Sequence, residues 1–313
     1  MVITVIMAMV IMAMGRVPMH KEGLLFLLFF FLLYNNLRAK EIEAGASISS
    51  SLYYSDNIDS SATGREDFFL TVTPGINFQK DGSRVKSNLT YSATGFLYAS
   101  HSDKDEIRHR LNATAESEIV KHSLFLDLDA GVSQQLLDPN RYSDGVSGSD
   151  NLTQTYTYGI SPYWRKKWSK YAESVLRYNY NELKYDNSNL DDSRQYNVSF
   201  DVSSGRAFDA ILWSLDYRHS ETLYERNENN IADTIRLVLT HPYSRQLDFR
   251  FTTGYEDYGS TQVTPGDGWA FGIKWLPNAR NILDLDIGRR FFGTAYKFDY
   301  EHKGKRLNWH LSY

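Results

Sequence analysis

The chain has 313 residues, no cysteine and a formal net charge of −4. The small net charge argues against a nucleic-acid partner, and the lack of cysteine excludes disulfides, cysteine-based metal sites and a lipoprotein anchor. Aromatic residues make up 14% and charged residues 23% of the chain. Apolar residues recur at every second position rather than in helical stripes, which predicts sheets with one apolar and one polar face.

Two apolar segments begin the chain, and the second of them, Leu24–Tyr34, has the layout of a secretory signal peptide. A basic residue, Lys21, precedes it and a small residue, Ala39, follows it. Neither segment reaches the roughly 20 apolar residues that a transmembrane helix needs. We therefore expect residues 1–39 to be an upstream segment and signal peptide, and residues 40–313 to form the mature domain.

From about residue 40 onward, the sequence predicts strands whose two faces differ. In one run, for example, Leu124, Leu126 and Leu128 alternate with Asp127 and Asp129. The same alternation recurs in roughly fifteen runs. One such strand would fit a soluble β-sandwich equally well, but the repetition behind a signal peptide favours a membrane barrel.

The connectors between these runs alternate in length. Tight turns are predicted at Lys80–Arg84 and around Lys121-His122, and longer loops at His101–Glu106 and Gln134–Asp150. The short connectors are mostly basic and the long ones mostly acidic. Short periplasmic turns and longer extracellular loops are typical of outer-membrane barrels, so we expect the acidic loops to face the outside of the cell.

Seven charged residues fall on the polar face of these strands and distinguish a barrel from an open sheet. They are Asp127, Asp129, Arg236, Asp248, Arg250, Asp284 and Asp286. A closed barrel places such residues in a wet lumen and leaves no exposed edge. We predict an all-β, transmembrane, antiparallel up-and-down β-barrel of about 14–16 strands in the bacterial outer membrane. Because bacterial barrels have even strand numbers, a count of fifteen implies either a miscounted run or a chain that is incomplete at its C-terminus.

Aromatic residues gather where strands are predicted to end. Tyr163, Trp164 and Trp168 lie near a turn, and Tyr178, Tyr180, Tyr217 and Tyr255 lie near loops. Such groups are typical of the aromatic girdles at membrane interfaces. The alternative is that tyrosine simply favours strands, which explains the number of these residues better than their placement.

No catalytic, cofactor or metal motif is recognisable. The eight histidines are scattered, mostly beside turns and loops, and none forms a recognisable pair with serine of the kind that outer-membrane phospholipases need. The stretch Asp56-Asn57-Ile58-Asp59 is too short for a calcium hand and lacks its glycine and glutamate. We therefore expect a protein that is not an enzyme and needs no cofactor.

One group of charges is a candidate functional site, which we call the lumen charge cluster. It comprises Lys86, Glu116, Glu118, Asp127 and Asp129. Folding one hairpin puts Glu116 opposite Asp127 in the lumen, and like charges in facing positions are destabilising unless neutralised. Lys86 is predicted at the same height on the preceding strand. The cluster is either part of a salt-bridged wall that stiffens the barrel or a constriction that favours cations.

Three stretches of the sequence resemble the outer-membrane β-barrel proteins associated with PEP-CTERM/exosortase systems. They are Ser161-Pro162-Tyr163-Trp164 followed by Tyr171-Ala172 and Leu176-Arg177-Tyr178, then Gly288-Arg289-Arg290-Phe291-Phe292-Gly293, and finally Trp309-His310-Leu311-Ser312-Tyr313. The resemblance covers about residues 40–313 and implies a barrel encoded with exopolysaccharide genes. It supplies no catalytic residues. Similar proteins generally continue beyond the last of these stretches, so the resemblance favours a truncated chain.

The sequence and the resemblance together predict a non-enzymatic outer-membrane component of an exopolysaccharide or protein-sorting envelope system, acting as a passage or scaffold. A general diffusion porin and an outer-membrane lipid-modifying enzyme are the alternatives. The expected partners are outer-membrane lipid and lipopolysaccharide, the barrel assembly machinery, and exopolysaccharide or its secretion components.

Overall fold

Fifteen strands make up most of the chain in the computed structural model, which describes residues 42–59, 64–138, 140, 151–187, 189–259, 264–290 and 292–313. The strands are β1 Ile42–Ser55, β2 Asp67–Asp81, β3 Val85–Tyr98, β4 Glu106–Val120, β5 Leu124–Leu136, β6 Leu152–Trp168, β7 Ala172–Tyr185, β8 Ser193–Ser204, β9 Leu212–Tyr224, β10 Asn230–Ser244, β11 Leu247–Asp257, β12 Gly266–Asn278, β13 Asn281–Arg290, β14 Gly293–Lys303 and β15 Asn308–Ser312. The predicted upstream segment and signal peptide lie outside the described residues. Within those residues, no helix is long and apolar enough to cross a membrane.

Each strand pairs in antiparallel fashion with the next one along the chain, from β1 to β15. This up-and-down order and the number of strands confirm the predicted fold class. Among the described residues no pairing joins β15 back to β1, so the sheet is open along this seam.

The strand registers assign each strand residue to one of two faces. Side chains alternate along a strand, so residues that face one another across successive strands lie on the same side of the sheet. Following these pairs from strand to strand puts all seven predicted inward charges on one face. We call this the inner face and the opposite one the outer face.

The connections at the two ends of the sheet differ in length. At the end that holds the β2–β3 hairpin, here called the turn end, most connections have two to four residues, and at the opposite loop end most have five or more. The predicted alternation is wrong at two places: 205–211 is a long turn-end connection and 291–292 a short loop-end one. The N–H of Gly205 donates to the carbonyl of Tyr171 (2.7 Å), which folds the longer turn against its neighbour.

The outer face is the apolar one. Phe271, for example, leaves 57% of its surface exposed in the isolated chain, which is the surface that a bilayer would cover. Trp164 and Trp168 lie on this face near the turn end, as predicted, with ring centroids 6.3 Å apart. Tyr163 does not, because it alternates with Trp164 and faces Arg177 on the inner face.

The predicted loop-side tyrosines fall at two heights. Tyr180 and Tyr255 lie on the outer face towards the loop end, whereas Tyr178 and Tyr217 lie near the middle of their strands. The girdle prediction is therefore right for the first pair. The second pair follows the general preference of tyrosine for strands.

A small apolar core lies at the loop end of β2 and β3. Ile58, in the β1–β2 connection, is 1% exposed and packs with the inner-face residues Phe69, Phe96 and Tyr98. The rings of Phe69 and Tyr98 lie 5.0 Å apart. This connection therefore folds onto the inner face rather than away from it.

Candidate functional site: the charged inner face

The lumen charge cluster has the predicted register. Lys86 faces Glu116 across the β3–β4 pair, and Glu116 faces Asp127 across the β4–β5 pair. Asp129 lies two residues further along β5 on the same face, facing Thr114. The hairpin geometry read from the sequence is thus confirmed, and two carboxylates stand in directly facing positions.

The group that neutralises Asp127 was not predicted. Arg177, on β7, donates from Nη1 to Asp127 Oδ2 at 2.8 Å and to Ser161 Oγ at 2.7 Å. Its guanidinium carbon lies 3.9 Å from the ring centroid of Tyr163. Arg177 therefore reaches across the whole width of β6, held by an ion pair, a hydroxyl and an aromatic face.

Lys86 does not neutralise the facing carboxylates, although its position in the register was predicted correctly. Its ammonium lies 3.8 Å from Asp81 Oδ1, at the turn end, and both side chains are mostly exposed. Glu116 and Asp129 form no ion pair with any described residue and are exposed. Glu118 instead accepts a hydrogen bond from the backbone N–H of His122. The cluster therefore holds two unpaired carboxylates.

A second group of inner-face charges, on β8 to β14, is paired in a ladder. Arg218 pairs with Asp201 at 2.8 Å and Arg236 with Asp216 at 3.5 Å. Further along, Arg250 bonds Asp284 at 2.7 Å and Asp286 at 2.6 Å, Lys297 bonds Asp284 at 3.0 Å, and Arg290 bonds Glu256 at 2.7 Å. Each pair joins strands that are adjacent or separated by one strand, so the ladder reinforces the wall.

A glycine makes one of the bridges that cross a whole strand possible. Arg250 on β11 reaches Asp286 on β13 by crossing β12 at Gly272. A Cβ at Gly272 would lie 2.0 Å from Asp286 Oδ1 and 3.0 Å from Arg250 Nε. Any side chain there would occupy the space that the ion pair fills.

One polar group on the outer face was also missed. His219 Nδ1 lies 2.9 Å from Asp233 Oδ1, and the hydroxyl of Tyr217 donates to the same oxygen at 3.1 Å. The alternation Trp213, Leu215, Tyr217, His219 could have placed this histidine among lipid-facing residues. Within the described chain no serine or threonine hydroxyl bonds either ring nitrogen of His219.

At the loop end, ionic contacts hold the β1–β2 connection. Asp59 accepts hydrogen bonds from Arg65 Nε at 2.6 Å and Nη2 at 2.9 Å, and Lys104 Nζ lies 3.2 Å away. The Arg65 guanidinium holds the pKa of Asp59 well below its usual range. The described residues contain no group of three or more histidine, aspartate or glutamate side chains that could hold a metal ion.

Comparison with known proteins places this fold among outer-membrane proteins. No family model matches the chain, and no curated protein matches it. Among solved structures, a mutant ferric enterobactin receptor of Pseudomonas aeruginosa superposes with a TM-score of 0.52 and 8% identity, over 88% of this chain and 53% of the receptor. The fold is that of an outer-membrane β-barrel.

Two further solved structures resemble the chain less closely. The siderophore receptor PirA of the same organism has a TM-score of 0.49 and 9% identity, over 88% of this chain and 55% of the receptor. An anion-selective porin from Comamonas acidovorans has a TM-score of 0.36 and 8% identity, over 83% of this chain and 90% of the porin. The chain spans about half the length of the two receptors. The barrel fold, with its apolar outer face, places the protein in the bacterial outer membrane.

Proposed function

We propose that the protein is a non-enzymatic passage through the outer membrane that serves an exopolysaccharide envelope system. The observation that carries this proposal is the solvent-exposed inner face, where Glu116 and Asp129 stand without an ionic partner among the described residues. Unpaired carboxylates are stable only where water solvates them. A wall of this kind suits a hydrated interior through which polar solutes pass.

The direction of the ion pairs supports the same proposal. The inner-face pairs described above run along the wall, between strands no more than two apart. Pairs of this kind stiffen the sheet without drawing opposite walls together. The interior is then left to water and solute.

The exopolysaccharide part of the proposal is supported by the sequence resemblance to barrels of PEP-CTERM/exosortase systems. Those barrels are encoded with polysaccharide genes, so exopolysaccharide or its secretion components are the partners we propose. Lipopolysaccharide and the barrel assembly machinery are proposed as partners because any outer-membrane barrel meets both.

A general diffusion porin is the second candidate, and one observation favours it. The β1–β2 connection packs Ile58 onto the inner-face aromatics, so a loop-end segment narrows the mouth. If the protein is a porin, Gln134–Asp150 is the candidate in the sequence for a long loop folded inward, and most of that loop lies outside the described residues.

Two measurements test the proposal. Deletion of the gene should lower surface polysaccharide, whereas unchanged polysaccharide together with reduced uptake of small solutes would establish the porin instead. In planar bilayers, Glu116→Asn/Asp127→Asn should lower the preference for cations because both carboxylates face the interior. The matched control, Asp257→Asn/Asp267→Asn, removes two carboxylates from the outer face and should leave the preference unchanged. No conductance by the parent protein would refute the passage.

A further inference from the structure

One row of inner-face residues is polar on almost every strand from β2 to β10. Each member of the row faces the next across nine successive strands. The row consists of Gln79, Asn88, Thr114, Asp129, Gly159, Asn181, Gln195, Thr222 and Asn230. Apart from one glycine, every member has an amide, a hydroxyl or a carboxylate. We call this row the polar track.

The polar track runs diagonally from one end of the sheet to the other. Gln79 lies two residues from the turn end of β2, and Asn230 is the first residue of β10, at the loop end. Between them the track passes the middle of the wall at Gly159 on β6. This climb follows from the stagger of neighbouring strands, because barrel strands are tilted and their registers shift steadily around the wall. The track therefore connects the two mouths.

The polar groups of the track are not used to hold the fold together. None of its side chains makes a hydrogen bond or ion pair with a described residue, whereas the inner-face arginines on β9 to β13 are all paired. The side chains that carry polar groups are exposed, except for Gln195 and Thr222, which are half-buried; Gly159, which has no side chain, is buried. Groups that are neither buried nor paired remain available to a solute.

The chemistry of the track points to one class of solute. Amides both donate and accept hydrogen bonds, as do hydroxyls, so they match the hydroxyl groups of sugars. The track has no cation, and its one charge is the carboxylate of Asp129. An acidic polymer would find no cationic partner on it and would meet a like charge at that residue. Neighbouring strands lie about 4.8 Å apart, close to the length of one sugar ring, so successive rings could bond successive strands.

We infer that the polar track is a binding path for an uncharged polysaccharide chain that extends along the inner wall between the two mouths. This inference rests on the proposed function and names its substrate class. Gly159 fits the path, because the side chain of Asp129 lies over it and a Cβ there would be 2.0 Å from Asp129 Oδ1. The Asp129 carboxylate therefore lies across β6 in the space that a side chain at Gly159 would fill, and no side chain from β6 projects into the track.

The test compares two pairs of isosteric substitutions. Thr114→Val/Thr222→Val removes two hydroxyls from the track, and Thr240→Val/Thr252→Val removes two from the inner face outside it. The probes are a short uncharged dextran oligomer and a polygalacturonate oligomer, titrated by calorimetry into the folded, detergent-solubilised protein. Gel mobility that changes on boiling verifies that each variant is folded.

We expect the parent protein to bind dextran and the track variant to bind it about tenfold more weakly, since each lost hydrogen bond accounts for a factor of roughly two to ten. The control variant should stay within about twofold of the parent. Equal losses in both variants, no binding by the parent, or tighter binding of polygalacturonate would overturn the inference. Calorimetry measures binding and not conductance. A parent protein that binds no dextran would therefore overturn the polar track even if the deletion and bilayer measurements support the passage. A parent protein that binds dextran but does not conduct would overturn the passage and leave the binding result intact.

Discussion

Replacing Arg177 should show how much the ion pair that Arg177 makes across β6 contributes to the stability of the sheet. In Arg177→Met, Asp127 loses its cation while it still faces Glu116. The substitution keeps most of the side-chain volume, so the effect reports the charge and its hydrogen bonds rather than a cavity.

The magnitude follows from three contacts. The ion pair with Asp127 is about one-third exposed on both sides, which limits it to about 1 kcal/mol. The hydrogen bond to Ser161 contributes about 1 kcal/mol. The guanidinium over Tyr163 adds about 0.5–1 kcal/mol. Together they predict that Arg177→Met lowers the free energy of unfolding by about 2–3 kcal/mol.

A double-mutant cycle separates the ion pair from the other two contacts. Urea unfolding of the detergent-folded protein, followed by tryptophan fluorescence, would give the four free energies for Arg177→Met, Asp127→Asn, the double variant and the parent. We expect a coupling of about 1 kcal/mol. The matched control is Arg218–Asp201, a pair that is 52% and 35% exposed and should couple less strongly. A coupling of zero for Arg177 and Asp127, or a larger one for the control, would refute the assignment.

Three further predictions concern the wall, the mouth and the topology. Gly272→Ala should lower the urea midpoint of unfolding less than Gly288→Ala. The new Cβ would lie 2.0 Å from the flexible side chain of Asp286 at the first site but 2.0 Å from the backbone carbonyl of Trp269 at the second. The reverse order of midpoints would contradict this. The Arg65 guanidinium holds the pKa of Asp59 well below its usual value, so the contribution of this carboxylate to stability is complete above the ordinary carboxyl pKa of about 4 and is lost only as the pH falls through the lower pKa of the folded state. Asp59→Asn should therefore speed hydrogen exchange at the Ile58 amide at pH 6, and by a smaller factor at pH 3; equal rates at pH 6 would count against it. A protease added to whole cells should cut within 186–192 and spare the tight turns, and cleavage at the turns alone would invert the topology.

The fold was largely predictable because an up-and-down sheet is built from local contacts. The alternation of Leu124, Leu126 and Leu128 with Asp127 and Asp129 determines which face of β5 is apolar. A tight turn then fixes the register of the hairpin that follows. This is why the facing positions of Glu116 and Asp127 could be derived from the sequence alone.

The neutralising partner of Asp127 could not be derived in the same way. Arg177 lies two strands away, so its placement depends on two registers and on a long side chain that crosses β6. Period-two alternation shows that Arg177 points inward but not which carboxylate it reaches. Lys86 lies nearer to Asp127 in the sequence than Arg177 does, but its ammonium lies beside Asp81, 3.8 Å from Oδ1. The burial of Ile58 was equally hidden, since a single apolar residue in a polar loop has no periodicity.

The positions of the irregularities explain how the inner face stays polar across so many strands. A slip of one residue would turn every side chain of a strand to the opposite face. The register shifts lie between Glu118 and Val120, between Pro242 and Ser244, and between Trp275 and Asn278, all close to the turn end. Through the middle of the wall, each strand therefore keeps its face and the polar track is not interrupted. Confining the bulges to one end lets the turns adjust their geometry while the solute-facing surface remains continuous from one mouth to the other.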